Sequence, residues 1–170
     1  MDYNIKLNTS YNAGEIISNG YASRMGGLIG ASEAGTTIEN CYNIGTIKTT
    51  SNSTAIRVGG LVGFVFDRKN QELVTVRNSY NAGIMDILGV TAAKGTLYGE
   101  FYGTIENCYA IKLDGIELAG NTSEKITQTN CEIKTPDKMQ DEEFVNMLNN
   151  TAFKKDSNTI NKGFPILKWQ

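Results

Sequence analysis

Histidine is absent from the 170 residues, which removes imidazole both as a metal ligand and as the commonest general base. Most hydrolase and metallopeptidase chemistry therefore lacks its usual parts, and no cofactor is expected. Proline is nearly missing, with Pro136 and Pro165 both close to the C-terminus. A net charge of −2 leaves no polybasic surface, which argues against nucleic acid or anionic membrane as a partner. No run of about eighteen apolar residues is present to span a bilayer, so no membrane insertion by this segment is expected. Met1-Asp2-Tyr3-Asn4 passes almost directly into repeat sequence, with no signal peptide to be read. An excised module and a cytoplasmic protein would look alike there. The three cysteines, Cys41, Cys108 and Cys131, have no zinc-ligand spacing.

What the chain does have is a repeat, rich in Gly, Asn, Thr, Ser and β-branched residues. Arg24-Met25-Gly26-Gly27-Leu28-Ile29-Gly30 recurs as Arg57-Val58-Gly59-Gly60-Leu61-Val62-Gly63 and, degraded, as Lys94-Gly95-Thr96-Leu97-Tyr98-Gly99. Asn8-Thr9-Ser10-Tyr11-Asn12-Ala13-Gly14 recurs around Tyr42, Tyr80 and Tyr109. The tyrosines are 31 (Tyr11 to Tyr42), 38 (Tyr42 to Tyr80) and 29 (Tyr80 to Tyr109) residues apart. Constant short strands joined by loops of variable length fit this spacing, and the longest insertions fall at 48–55 and 66–73. One copy cannot bury its apolar side alone, whereas stacked copies can. The expected fold is mostly β, a parallel β-helix-like solenoid of about four to five coils over 1–134. A cap with a short helix is expected over 135–170.

Alignment on the tyrosines makes columns of residues that stack about 4.8 Å apart if the coils pair as parallel strands. Leu7, Ile38, Val76 and Ile105 form a core column. Asn8, Glu39, Arg77 and Glu106 alternate in charge, and a structural ladder accounts for them. The rival, a carboxylate pair Glu39 and Glu106 for glycosidic cleavage, has Arg77 between its members. Asn40, Asn78 and Asn107, with Asn130, are expected to form an amide ladder at a bend. Ser10, Cys41, Ser79, Cys108 and Cys131 share a column, in which the cysteines read as free thiols interchangeable with serine. Tyr11, Tyr42, Tyr80 and Tyr109 are expected to stack inward, because apolar burial is the larger driving force. A bend at the asparagines would reset the alternation and expose a row of rings able to stack on sugars. Arg24 and Arg57 share one repeat position and offer a basic patch for acidic sugars, or simply solvated side chains. No catalytic residue and no metal ligand is assigned.

These motifs resemble the GLUG repeat, named for its Gly-Leu-hydrophobic-Gly core, over about residues 7–113. The resemblance implies a right-handed solenoid and a bacterial surface or secreted location, with flanking domains in a larger protein. Such repeats occur in adhesin-like proteins and in the non-catalytic region of some M26-type immunoglobulin A-cleaving peptidases. The expected role is a non-catalytic cell-surface module that spaces or presents. The alternatives are a module binding glycans or host surface proteins, a β-helix polysaccharide-degrading enzyme, and an inactive fragment of a surface peptidase. Gly163-Phe164-Pro165-Ile166-Leu167-Lys168-Trp169 looks like the ending often seen after such repeats. Together with a helix near 141–149, it is expected to pack over or alongside the open end of the last coil, with Trp169 inserted against the solenoid.

Overall fold

A computed structural model of the chain describes residues 5–33, 35–67, 73–88, 93–121 and 125–170. The insertion expected at 66–73 falls partly outside these residues. The repeats stack as rungs, each laying its strands parallel on those of the rung before. The first sheet runs Ile5–Asn8, Thr36–Glu39, Val74–Asn81, Gly103–Ile111, Ile126–Thr129 in that order. A second sheet stacks Ile16–Ser18, Ile47–Thr49 and Met85–Ile87; a third stacks Arg24–Gly26, Arg57–Gly59 and Ala93–Gly95. The fourth stacks Ile29–Ser32, Val62–Val65, Tyr98–Glu100 and Ala119–Asn121. Strand order that follows the repeat order, with parallel pairing throughout, makes the architecture β-helix-like. Among the described residues, the antiparallel strand pair is Phe153–Lys154 with Ile166–Leu167 in the tail.

The register follows the repeat anchors. Leu7 pairs with Ile38, Ile38 with Val76, and Val76 with Ile105. Tyr11 pairs with Tyr42, Tyr42 with Tyr80, and Tyr80 with Tyr109. Simple alternation nevertheless fails between these two columns, and one residue causes it. Thr9, Asn40, Asn78, Asn107 and Asn130 sit at φ of 46° to 54°, the left-handed region that Asn tolerates better than other non-glycine residues. The kink resets which face the next residue takes. Ile38 points in, Glu39 points out, Asn40 makes the bend, Cys41 points in again, and Tyr42 leaves on the outer side. The inward aromatic stack expected from alternation is therefore corrected: the tyrosines project away from the interior that Ile38, Cys41, Val76, Ile105 and Cys108 fill.

The interior is pinched into two lobes. One holds Ile38, Leu61, Val76, Leu97 and Ile105, the other Met25, Ile47, Ile56, Val58 and Met85. Between them the chain carries Asn43 and Asn81 on one wall and the Gly-Gly pairs on the other. Asn12 Nδ2 donates to Asn43 Oδ1 at 2.9 Å, and Asn43 Nδ2 to Asn81 Oδ1 at 2.8 Å. A Cβ on Gly27 would lie 2.4 Å from Asn43 Cγ, and one on Gly60 2.2 Å from Asn81 Nδ2. The Gly60 and Thr96 carbonyl oxygens would lie nearer still, at 2.3 and 2.0 Å, so the second Gly of each pair is required by the following rung's backbone and amide together. The third copy breaks both halves of this pairing at once. Thr96 replaces the glycine, and Ala110 replaces the asparagine that would face it, as the Asn81–Ala110 register shows.

The tail does not cover the end of the stack. A 3-10 turn, Asp137–Met139, and a helix, Glu142–Leu148, lead into a strap that lies along the outer tyrosine face. Asp141 caps the helix by accepting from Phe144 N at 2.8 Å. Met139, Phe144, Val145, Leu148, Phe153, Phe164 and Leu167 form one cluster with Tyr42, Tyr80 and Tyr109. The strap runs back to the first rung, where Trp169 Nε1 donates to Thr9 O at 3.2 Å. Trp169 remains 63% exposed, so its expected insertion is corrected as well. The outer tyrosine row, not the end, is what the apolar tail covers.

Candidate functional site

The tyrosine column is a stack of rings about one strand spacing apart. Tyr11 and Tyr42 have centroids 5.1 Å apart at 12°, and Tyr42 and Tyr80 repeat that distance at 7°. Phe144 meets Tyr80 and Tyr109 edge-on at 5.9 and 5.3 Å. The tail also takes the hydroxyls. Tyr42 donates to Gln170 Oε1 at 2.9 Å, and Tyr80 donates to the Pro165 carbonyl. Tyr42, Tyr80 and Tyr109 are buried, so no sugar face reaches them in this arrangement; Tyr11 alone of the four is exposed. Burial pushes the Tyr42 and Tyr109 hydroxyls up to about 12, and raises that of Tyr80 well above its ordinary value too. None of these phenols is poised to act as a base near neutrality.

Glu39, Arg77 and Glu106 occupy adjacent strands in register. The Arg77 fork goes to Glu39 on both sides, Nε to Oε1 at 3.0 Å and an outer nitrogen to Oε2 at 3.2 Å. Glu106 forms no ion pair among the described residues. Arg77→Ala is expected to change stability by under about 1 kcal/mol, because the pair is largely solvated; urea midpoints of the two proteins check this.

The two asparagine columns are ladders of opposite polarity. In the bend column, Asn40 Nδ2 donates to Asn8 Oδ1, Asn107 to Asn78 and Asn130 to Asn107, each at 3.1 Å. Asn149 of the tail donates to Asn40 Oδ1 at 2.9 Å, tying the strap to the ladder. The inner ladder of Asn12, Asn43 and Asn81 was not among the sequence expectations, although Asn-x-Gly recurs visibly at all three sites. Beside the bend, each Ser or Cys side chain donates to the carbonyl two residues back. Ser10 does so to Asn8, Cys41 to Glu39, Ser79 to Arg77, Cys108 to Glu106 and Cys131 to Thr129. That shared bond explains why the two residue types alternate in one column. All three thiols are free. Burial raises Cys41 to about 11 and pushes Cys108 well up, whereas a bond from Cys108 lowers the half-exposed Cys131.

Arg24, on the terminal strand of the third sheet, pairs in register with Arg57 on its middle strand. Arg57 Nε meets Glu100 Oε2 at 2.8 Å, and Tyr102 Oη donates to Glu100 Oε1 at 3.2 Å. Arg24 instead lies over the Phe64 and Phe66 rings at 5.0 and 5.3 Å.

Asp156, which carried no sequence expectation, organises the tail loop. Its two oxygens accept from the backbone N–H groups of Asn158, Ile160, Asn161 and Gly163 at 2.6 to 3.3 Å. Asn161 in turn donates to Tyr80 Oη at 2.8 Å, connecting the loop to the aromatic column. Burial alone would raise the Asp156 carboxyl, but the four N–H donors more than reverse this and hold it below the usual range. A depressed folded pKa means stability present above the unfolded value, about 4, and lost as pH falls through the folded one. Asp156→Asn is expected to lower the urea midpoint at pH 7 and to flatten its decline toward pH 3.

Among the described residues, no group of three or more His, Cys, Asp or Glu is placed to hold a metal ion. Among the same residues, no helix is long and apolar enough to cross a membrane. Stacked parallel repeats, amide ladders along the bends and a tail strapped over an aromatic row define a β-helix-like repeat module. Within it, residues 21–48 match the GLUG motif, from Tyr21 through the first Gly-Gly-Leu-Ile-Gly and into the next rung. A crystal structure of a candidate immunoglobulin A1 protease from Bacteroides ovatus matches in fold, with a TM-score of 0.51 and 22% identity. The match covers 97% of this chain but 58% of that one, so this chain spans little more than half of its structural relative. No curated protein matches the chain.

Proposed function

We propose that this chain is a non-catalytic bacterial cell-surface module, a right-handed β-solenoid acting as an adhesin-like spacer or presentation scaffold beside other domains. The observation that carries this reading is how the repeat's polar and aromatic columns are used. Both asparagine ladders bond rung to rung, Arg77 is held by Glu39, and three of the four tyrosines lie under the strap. Side chains engaged in this way hold a rung spacing; they are not presented to a substrate. The GLUG motif and the fold-level likeness to a candidate immunoglobulin A1 protease support a surface placement. The rival carboxylate pair has little geometric support, because Arg77 stands between Glu39 and Glu106 in the register.

The test is turnover. The purified chain, incubated with uronic-acid polymers, neutral polysaccharides and immunoglobulin A1, is expected to leave every one intact. Replacing it in its parent protein by an unrelated solenoid of equal length is expected to preserve the activity of the flanking domains. Hydrolysis of any substrate sinks the scaffold reading, and loss of flanking activity on replacement does the same.

A further inference from the structure

Among the described residues, Arg24 is a cationic side chain on the outer surface with no acidic partner. The third-sheet position holds two stacked arginines, and Glu100 neutralises only Arg57. Arg24 is exposed and pairs with no carboxylate among the described residues. It is not loose, however. Its guanidinium lies 5.0 Å from the Phe64 ring centroid and 5.3 Å from that of Phe66, while the two rings meet edge to face at 4.5 Å. Phe64 is also flanked by Arg57 at 6.0 Å. A planar cation held against aromatic faces keeps its N–H edge directed outward and loses little freedom on binding. That edge matches a carboxylate bidentately.

The surroundings narrow the class of ligand. Phe64 lies on the middle strand Val62–Val65, paired on both sides by Ile29–Ser32 and Tyr98–Glu100. Its backbone groups are therefore engaged with neighbouring rungs, so a peptide cannot add a strand beside Phe64 itself. At the Phe64 platform recognition comes from side chains: one unneutralised guanidinium, two half-buried rings, and the Glu100–Tyr102 pair as hydrogen-bonding groups. An apolar C–H face bearing one carboxylate and several hydroxyls suits that set. We propose that Arg24, on its Phe64–Phe66 platform, binds the ring carboxylate of an acidic saccharide. This site is independent of whether the module spaces or presents.

Titration calorimetry of the full chain with trigalacturonate and with sialyllactose tests it, the two arms separating a uronate from a sialate source. At least one acid is expected to bind, with affinity falling as salt rises. Its methyl ester is expected to bind at least about tenfold more weakly, the factor set by one lost charge-assisted pair. Arg24→Gln is expected to lose binding to the same extent and Arg24→Lys to lose part of it. Both variants should keep the wild-type melting temperature, since the side chain is exposed. Absence of binding to both acids overturns the proposal. So does binding that survives esterification or Arg24→Gln.

Discussion

Removal of residues 135–170 is expected to leave a protein that melts many degrees lower than the full chain, binds hydrophobic dyes and self-associates. The reason lies in the tyrosine face. Tyr42, Tyr80 and Tyr109 are buried only because Phe144, Phe153, Phe164, Leu167 and their neighbours lie over them. Fully burying a side chain of this size contributes about 1.5–3 kcal/mol relative to leaving it in water. Truncation exposes several at once, and also frees the Tyr42 and Tyr80 hydroxyls and the Asn40 amide oxygen that the tail engages. A net loss of several kcal/mol follows, with a contiguous aromatic stripe left in water. A point substitution in the full chain separates packing from truncation artefacts: Phe144→Ala is expected to cost about 3–5 kcal/mol. Sedimentation and thermal melts of both proteins are the measurement. A truncated protein that stays monomeric and melts as before would make the tail a linker to a neighbouring domain.

The rung register was readable because the repeat carries it twice, in Tyr11, Tyr42, Tyr80 and Tyr109 and in the Gly-Gly-Leu anchors. Insertions between anchors change the loops and leave the pairing alone. The direction of the tyrosines was not readable from alternation, since one left-handed residue per rung reverses the parity and its φ is not written in the residue type. Asn is only enriched there, and Thr9 adopts the same φ without it. The place of the tail was hidden for a related reason. Its apolar residues announce that it must pack, but which surface it packs on depends on where the bends send the tyrosines. Asp156 lies in a stretch, Asp-Ser-Asn-Thr-Ile-Asn-Lys-Gly, that looks like an ordinary polar loop. Only the convergence of four backbone N–H groups on one carboxylate marks it out. The coupling of Thr96 to Ala110 is legible in retrospect, because the copy that loses its second Gly is followed by the copy that loses its Asn.

Three glycines in one repeat column are expected to respond oppositely to the same substitution, and the stack alone decides which. Gly14, Gly45 and Gly83 each end an Asn-x-Gly turn in which the glycine N–H donates to the Asn Oδ1, at 3.0, 3.1 and 3.1 Å. None of the three has a positive φ, so the backbone conformation itself accepts alanine. What differs is the rung before. A Cβ on Gly45 would stand 2.0 Å from the Gly14 carbonyl oxygen and 2.5 Å from Asn12 Nδ2. On Gly83 it would stand 2.1 Å from the Gly45 oxygen and 2.5 Å from Asn43 Nδ2. Both obstacles are backbone or a hydrogen-bonded amide, so relief means prising rungs apart and breaking the inner ladder. Gly45→Ala and Gly83→Ala are each expected to cost about 3 kcal/mol or more. On Gly14, in the first rung, the nearest atom is Asn12 Oδ1 at 3.5 Å, an ordinary contact. Gly14→Ala should therefore leave stability unchanged or raise it by up to about 1 kcal/mol through the unfolded chain. Urea denaturation of the three variants measures the contrast. Equal losses at Gly14 and Gly45 would mean that the turn, and not the neighbouring rung, demands glycine.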